Sequence, residues 1–299
     1  MQSWIYFAMA AQLIWAFTSV IDKIVISKGY IKSPFVYIVL NGAMNIFLIF
    51  LLPFFNFEPL KFTDFLIAMF AGISLSAAVT FYYKAVQYDE ISRIKIIFQM
   101  EPILILLLSF FFLGEILTKN NMIGFLFLLA AGMIIAYKRE SRSFHISKAF
   151  YYILAAMVFG AIGYISGKHI FNVTSFWSGF LWLRLANSAA LAVLLAPSVR
   201  KQFFETFRNM KMSIRKLLGF KMVIDFSAFV FASYALSKGQ ASLVGALETS
   251  VAPLFVFMIT LFTSLYLPHI VREEINKKAI LAKILAIALV VIGIVFINL

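Results

Sequence analysis

The sequence predicts an all-α membrane protein: ten transmembrane helices arranged as two inverted five-helix repeats. Three observations predict it. Hydrophobic residues make up 63% of the 299-residue chain and charged residues 13%, whereas a soluble domain is about half apolar and about a quarter charged. Ten apolar runs of membrane length, roughly 20 residues each, follow one another along the chain. One pattern also occurs twice, because Tyr83 precedes Pro102 by nineteen positions and Tyr234 precedes Pro253 by nineteen. Lipid leaves backbone groups unpaired, so only helices and closed barrels span it. Runs such as Ile103 to Leu108, apolar on every face, exclude the alternation of a barrel.

The first span, Ser3–Ser27, turns apolar at once, with neither a basic leader nor a small-residue cleavage site. It is expected to be a retained helix rather than a removed signal peptide, with Trp15 and Thr18 on one face. Spans two and three are Pro34–Phe54 and Phe62–Val86, the latter carrying Tyr83 and Lys84 near its end. In span four, Ile91–Leu113, residues Lys95, Gln99 and Pro102 fall at i, i+4 and i+7, on one helical face. Pro102 removes a donor, usually kinks a helix, and frees a carbonyl near Phe98. Lys95, Gln99 and that carbonyl suit a polar floor for a ligand; Lys95 also suits snorkelling to the membrane edge. Glu101 faces away from this stripe. Span five is Asn120–Tyr137.

The second half opens with span six, Ala149–Lys168, where Gly160, Gly163 and Gly167 suit close helix packing. In span seven, Ser175–Pro197, Arg184, Asn187 and Ser188 share a face. Arg184 lies too deep to snorkel and needs Glu248, Asp225 or a substrate anion as partner; its planar fork suits a carboxylate or phosphate. The connection 198–216 sets Phe203, Phe204 and Phe207 among Arg200, Lys201, Arg208, Lys211 and Lys216. It reads as an interfacial amphipathic helix or as a solvated basic loop. Span eight, Leu217–Leu236, holds Asp225 about two turns in and Tyr234 near its far end. Span nine, Ala241–Leu267, presents Ala241, Gly245, Glu248 and Ala252 on one face, with Glu248 five residues before Pro253. Span ten is Lys278–Ile297. Small residues at 130–132 and 286–293 suit packing or a dimer face.

Residues 1–137 thus form one repeat, 138–148 a connection and 149–299 the second repeat. Five is odd, so the second half enters the membrane from the opposite side, and the repeats are inverted. Of the 26 Lys and Arg residues, 21 lie in or near the connections after odd-numbered spans, four (Lys61, Lys119, Lys168, Lys238) on the other side, and Arg184 within a span. The positive-inside rule places the basic connections in the cytoplasm and both termini outside. The same asymmetry accounts for the net charge of +13 without a nucleic-acid-binding stripe.

The stretch Tyr82-Tyr83-Lys84-Ala85, Glu101-Pro102, Leu113-Gly114-Glu115, Asn121-Met122-Ile123-Gly124 and Ala131-Gly132 resembles EamA-type proteins of the drug/metabolite transporter superfamily. The second half resembles them more loosely, through Tyr234-Ala235-Leu236, Ala252-Pro253 and Gly293. It departs where Leu113-Gly114-Glu115 has as its counterpart the longer segment 267–274. The resemblance implies alternating access and movement, frequently outward, of small metabolites such as amino acids. It also implies both termini in the cytoplasm, the reverse of the charge count.

Matching breaks in two halves point to a secondary transporter with its site between them. The expected lining is Arg184, Glu248, Lys95, Gln99, Asn187, Tyr83, Tyr234 and Trp15, with Pro102 and Pro253 breaking their helices. Glu248, Asp225 and Glu101 are the candidates for proton coupling. Cysteine is absent and the three histidines are far apart, so no metal, cofactor or thiol chemistry is expected. No phosphate-binding Gly-Lys-Ser/Thr loop and no clustered catalytic constellation occurs, so no enzyme is expected. The competing classes are a membrane-embedded enzyme and a non-transporting scaffold or receptor. Partners are the lipid bilayer, a small-molecule substrate and protons, with no nucleic acid, for a monomer or homodimer spanning the cell (inner) membrane many times.

Overall fold

Helix is the regular element throughout the computed structural model, which describes residues 2–27, 34–48, 50, 54–88, 94, 97–136, 148–266 and 277–299. The helices are α1 (Ser3–Ser27), α2 (Pro34–Phe47), α3 (Phe62–Tyr88), α4 (Glu101–Leu108), α5 (Lys119–Ala136), α6 (Lys148–Val173), α7 (Phe176–Asn187), α8 (Pro197–Asn209), α9 (Met212–Lys238), α10 (Ala241–Tyr266) and α11 (Lys277–Asn298). A π turn, Ser109–Leu113, continues α4, and a 3₁₀ segment, Ser188–Leu195, continues α7.

Eight of these rods are long and apolar enough to cross a membrane: α1, α3, α5, α6, α7 with its 3₁₀ continuation, α9, α10 and α11. The expected second and fourth spans are described over the shorter stretches Pro34–Phe47 and Glu101–Leu113. Their remainders run into 51–53 and 91–96, largely outside the described residues.

Two expectations about local structure are resolved. The connection 198–216 forms a helix, α8, with Pro197 in its first turn, where its missing N–H would be unpaired anyway. Phe203 packs against the cluster of Ile21, Val25, Val36, Met210 and Leu218, and Val199 is buried, while Phe204 stays exposed. Arg215 ties the helix down, donating to the carbonyls of Phe207 at 2.7 Å and Arg208 at 3.1 Å. Pro253, in contrast, does not break its helix, because α10 runs unbroken from Ala241 to Tyr266. One absent donor removes one bond, and packing on α1, α4 and α5 holds the rod on both sides of it. At Pro102 the break is complete. Gln99 and Met100 form a turn and Pro102 sits in the first turn of a new segment, α4.

The packing is helix on helix, with α3 along α6, α1 along α9 and α5 along α11; α10 lies against α1, α4 and α5. Close approaches rest on small residues. A Cβ on Gly124 would fall 2.8 Å from the Gly293 oxygen, and one on Gly293 would fall 3.0 Å from the Gly124 oxygen. The small residues of α5 and α11 therefore face each other within one chain. Gly163 likewise admits Leu75 of α3. Gly114 has φ +65° with open space around it, so its glycine serves the left-handed turn between the π segment and the chain leading to α5. Phe70, Ile73, Phe110, Phe111, Phe112 and Val291 are half or more exposed, an outward apolar surface that suits lipid rather than water. Both termini lie at one end, where the Gln2 backbone N–H donates to Asn298 Oδ1 at 2.9 Å.

Candidate functional site

Glu101 opens α4 immediately before Pro102, and Glu248 lies on α10 five residues before Pro253. The two acids meet in one cavity of about 200 Å³, lined by Gln12, Glu101, Ile105, Tyr164, Gly245, Glu248, Thr249 and Ala252. The Tyr164 hydroxyl donates to Glu248 Oε2 at 3.1 Å. Glu248 Oε1 is buried without a hydrogen-bond partner. Glu101 Oε1 fills the space that a side chain at Gly160 would take. Gln12 is 7% exposed, and the Thr249 hydroxyl turns back to the Gly245 carbonyl. Among the described residues no Lys, Arg or His lines the cavity. Two carboxyl groups in a low-dielectric space without a counter-cation cannot both stay ionised at little cost.

Arg184 is elsewhere. Its guanidinium carbon lies 4.4 Å from the Phe229 ring centre and 5.9 Å from that of Phe180, and its Nε has no hydrogen-bond partner. Neither expected acidic partner pairs with it. Trp15 meets Phe229 edge-on at 5.2 Å, and Asn187 accepts a hydrogen bond from Asn45 at 3.1 Å. These residues join α1, α2, α7 and α9 apart from the acid pair.

Asp225, the third acid expected to couple protons, is already neutralised. Lys221 approaches its Oδ2 at 2.5 Å and Asp22 at 3.4 Å, and the Thr18 hydroxyl donates to its Oδ1 at 2.7 Å. Asp225 is thus part of a charged cross-link between α1 and α9. Gln99 is buried against Gly132, close to Ser250. Tyr83 packs edge-on to Tyr82 at 6.0 Å, and Tyr234 is enclosed by Phe7 at 4.5 Å and Phe176 at 5.3 Å. Lys95 lies outside the described residues. Of the expected lining residues that are described, Glu248 is among the residues of this cavity, and of the other proton-coupling candidates Glu101 joins it.

Sequence reasoning missed Tyr164, Gln12 and Lys168. Gly160, Tyr164 and Lys168 fall at i, i+4 and i+8 on α6, a single stripe; only its glycine was read. Lys168, one of the few cations on its side, is 7% exposed rather than interfacial. Its Nζ donates to the carbonyls of Leu236 at 3.0 Å, Ser237 at 3.3 Å and Gly239 at 2.8 Å, capping the end of α9. Glu115, in the chain between α4 and α5, caps the start of α10 by accepting from the Ala241 N–H at 2.8 Å. Burial pushes the Glu115 carboxyl above its ordinary range, opposed by that N–H and by Lys168. Together Glu115 and Lys168 fix the tight turn between α9 and α10, which sets where Glu248 stands.

Residues 2–137 match the EamA-like transporter family. That family belongs to the drug/metabolite transporter superfamily, and the match covers 136 of the 299 residues. A solved crystal structure aligns with 98% of this chain and 98% of its own, at TM-score 0.64 and 17% identity; that likeness shows a shared fold. None of the curated proteins matches in sequence. The likeness to a membrane-transporter family over that stretch agrees with the eight described helices that are long and apolar enough to cross a membrane.

Proposed function

We propose that the protein is a secondary active transporter, an exporter of a small polar metabolite, that works by alternating access of two inverted five-helix halves and exchanges protons at the Glu101–Glu248 cavity. One observation carries the reading: the acid beside the proline of the first half and the acid before the proline of the second line the same cavity. Acids near the prolines of both halves that converge on one site suit a rocking transporter. The packing supports the repeat. Pairing α1 with α6, α2 with α7, α3 with α9, α4 with α10 and α5 with α11 turns the α1–α9 contact into the α6–α3 contact. It likewise turns α1–α10 into α6–α4 and leaves α5–α11 unchanged, and all of these occur. Glu248 takes up a proton when the cavity faces one side and releases it when the cavity faces the other. Arg184, Trp15 and Asn187 steady the second half around that movement.

The test is accumulation of a panel of labelled small metabolites in proteoliposomes with and without an imposed pH gradient. At least one compound should concentrate only when the gradient is present. Entry that merely equilibrates, indifferent to the gradient, would refute proton coupling; no entry of any compound would favour a scaffold or receptor.

A further inference from the structure

Building on that transporter reading, we propose that the Glu101–Glu248 cavity binds a small organic cation, a primary or secondary ammonium without a carboxylate of its own, in exchange for protons. Three of the four carboxyl oxygens lack a protein hydrogen bond among the described residues: both of Glu101, and Glu248 Oε1, which is buried. Those oxygens accept and have nothing to accept from. An ammonium group offers several donors and one positive charge, and charge-assisted bonds to carboxylates are the strong ones. Gln12, whose side chain makes no hydrogen bond to protein among the described residues, adds an amide at the same wall. Ile105, Ala252 and Gly245 supply an apolar side for a short alkyl chain.

Among the described residues, cations on the helices around the site are engaged elsewhere. On α6, Lys168 spends its donors on three carbonyls. On α7, Arg184 lies over aromatic rings. On α9, Lys238 sits 5.8 Å from the Tyr234 ring centre, and on α11, Lys283 sits over the Phe257 ring. Helix α1 brings only Gln12 to the cavity, α4 brings Glu101, α6 brings Tyr164, and the sequence from Asn121 to Ala136 on α5 contains no titratable side chain. Among the described residues a substrate carboxylate in this space would face two acids and no cation. Size agrees as well. A volume of about 200 Å³ equals roughly six or seven water shares at about 30 Å³ each, room for an amine of a few heavy atoms. Protons and the ammonium neutralise the same carboxyl groups, so each displaces the other.

Three probes of matched length decide it: n-butylammonium, 4-aminobutyrate and butyrate, titrated calorimetrically into the purified full-length protein at pH 8 and pH 5. The expected result is that n-butylammonium binds at pH 8, 4-aminobutyrate binds at least about tenfold more weakly, and butyrate does not bind. The n-butylammonium affinity should fall about tenfold or more at pH 5, and Glu248→Gln should lower it about tenfold or more at pH 8, the scale of one charged hydrogen bond. Asp225→Asn should leave it unchanged. If Glu248→Gln does not fold, the probe series and the pH pair on the natural chain decide alone. Equal or tighter binding of 4-aminobutyrate, affinity that ignores pH, or absence of n-butylammonium binding would each overturn the proposal. Failure here is distinct from failure of transport. A zwitterion concentrated by a pH gradient leaves the transporter standing and removes the cation, whereas tight n-butylammonium binding without gradient-driven flux does the reverse.

Discussion

Two acidic clusters lie within the helices of this protein, and their neutralisation separates them. At Asp225 the charge balance is nearly closed, with Lys221 and the Thr18 hydroxyl spending their donors on one carboxylate while Asp22 stands behind the lysine. At Glu101 and Glu248 it is open, with two carboxyl groups, one tyrosine donor and, among the described residues, no cation along the cavity wall. A fixed ion pair holds helices together, because any change that removes one partner strands the other. An open pair must find its positive charge from outside, as a proton or a ligand. Depth in the membrane marks a residue as a candidate for function, and its partners decide between scaffold and site.

The largest expected effect falls on the open pair. Glu101→Gln or Glu248→Gln should abolish gradient-driven accumulation while the protein still purifies as a folded species, which flux and thermal unfolding measured side by side will check. The closed cluster should behave in the opposite sense. Asp225→Leu takes from Lys221 the carboxylate it approaches at 2.5 Å and should lower stability by about 2 kcal/mol or more, read as a fall in unfolding temperature. Adding Lys221→Met should recover much of that loss.

Two smaller effects test the supports of the site. Gly160→Ala places a methyl group where Glu101 Oε1 lies, and the carboxyl end can swing aside. Stability should therefore change little, while gradient-driven accumulation drops several-fold. Lys168→Met removes the cap on the last carbonyls of α9 and should cost about 1–3 kcal/mol, again read by thermal unfolding.

The fold was legible where physics is one-dimensional. Apolar runs of membrane length marked α1, α3, α5, α6, α9, α10 and α11 within a few residues, because lipid imposes both length and composition. Glu101 and Glu248 were visible as ionisable groups at depth beside matching prolines. Their meeting was not, since Glu101 was placed only by the face of its own helix, and it depends on the packing of α4, which begins anew after the turn at Gln99–Met100, against α10. Arg184 misled for a related reason. Its depth demanded a partner, and the partner turned out to be the faces of Phe229 and Phe180, which a chain containing 35 phenylalanines supplies without any signature in sequence. Lys168 was read from its position near a span end, although the carbonyls it caps belong to α9 and lie nearly seventy residues away in sequence.

The smallest effect belongs at the surface. Glu58 accepts from the Thr174 hydroxyl at 2.9 Å and the Ser175 N–H at 3.3 Å, and those bonds hold its carboxyl below the ordinary range. A folded value below the unfolded one means that the contribution is present above the unfolded value of 4.5 and fades as pH falls through the folded one. Glu58→Gln should therefore lower the unfolding temperature slightly at pH 7, with the difference from the natural chain shrinking toward pH 3.

The central claim is that the open acid pair, and not the closed one, couples movement to protons. The most direct measurement places Glu248→Gln and Asp225→Asn in matched proteoliposomes and follows accumulation of one transported compound under the same pH gradient. The account predicts that Asp225→Asn still concentrates the compound above its equilibrium level and Glu248→Gln does not. Accumulation by Glu248→Gln that equals the natural protein, with loss confined to Asp225→Asn, would contradict it.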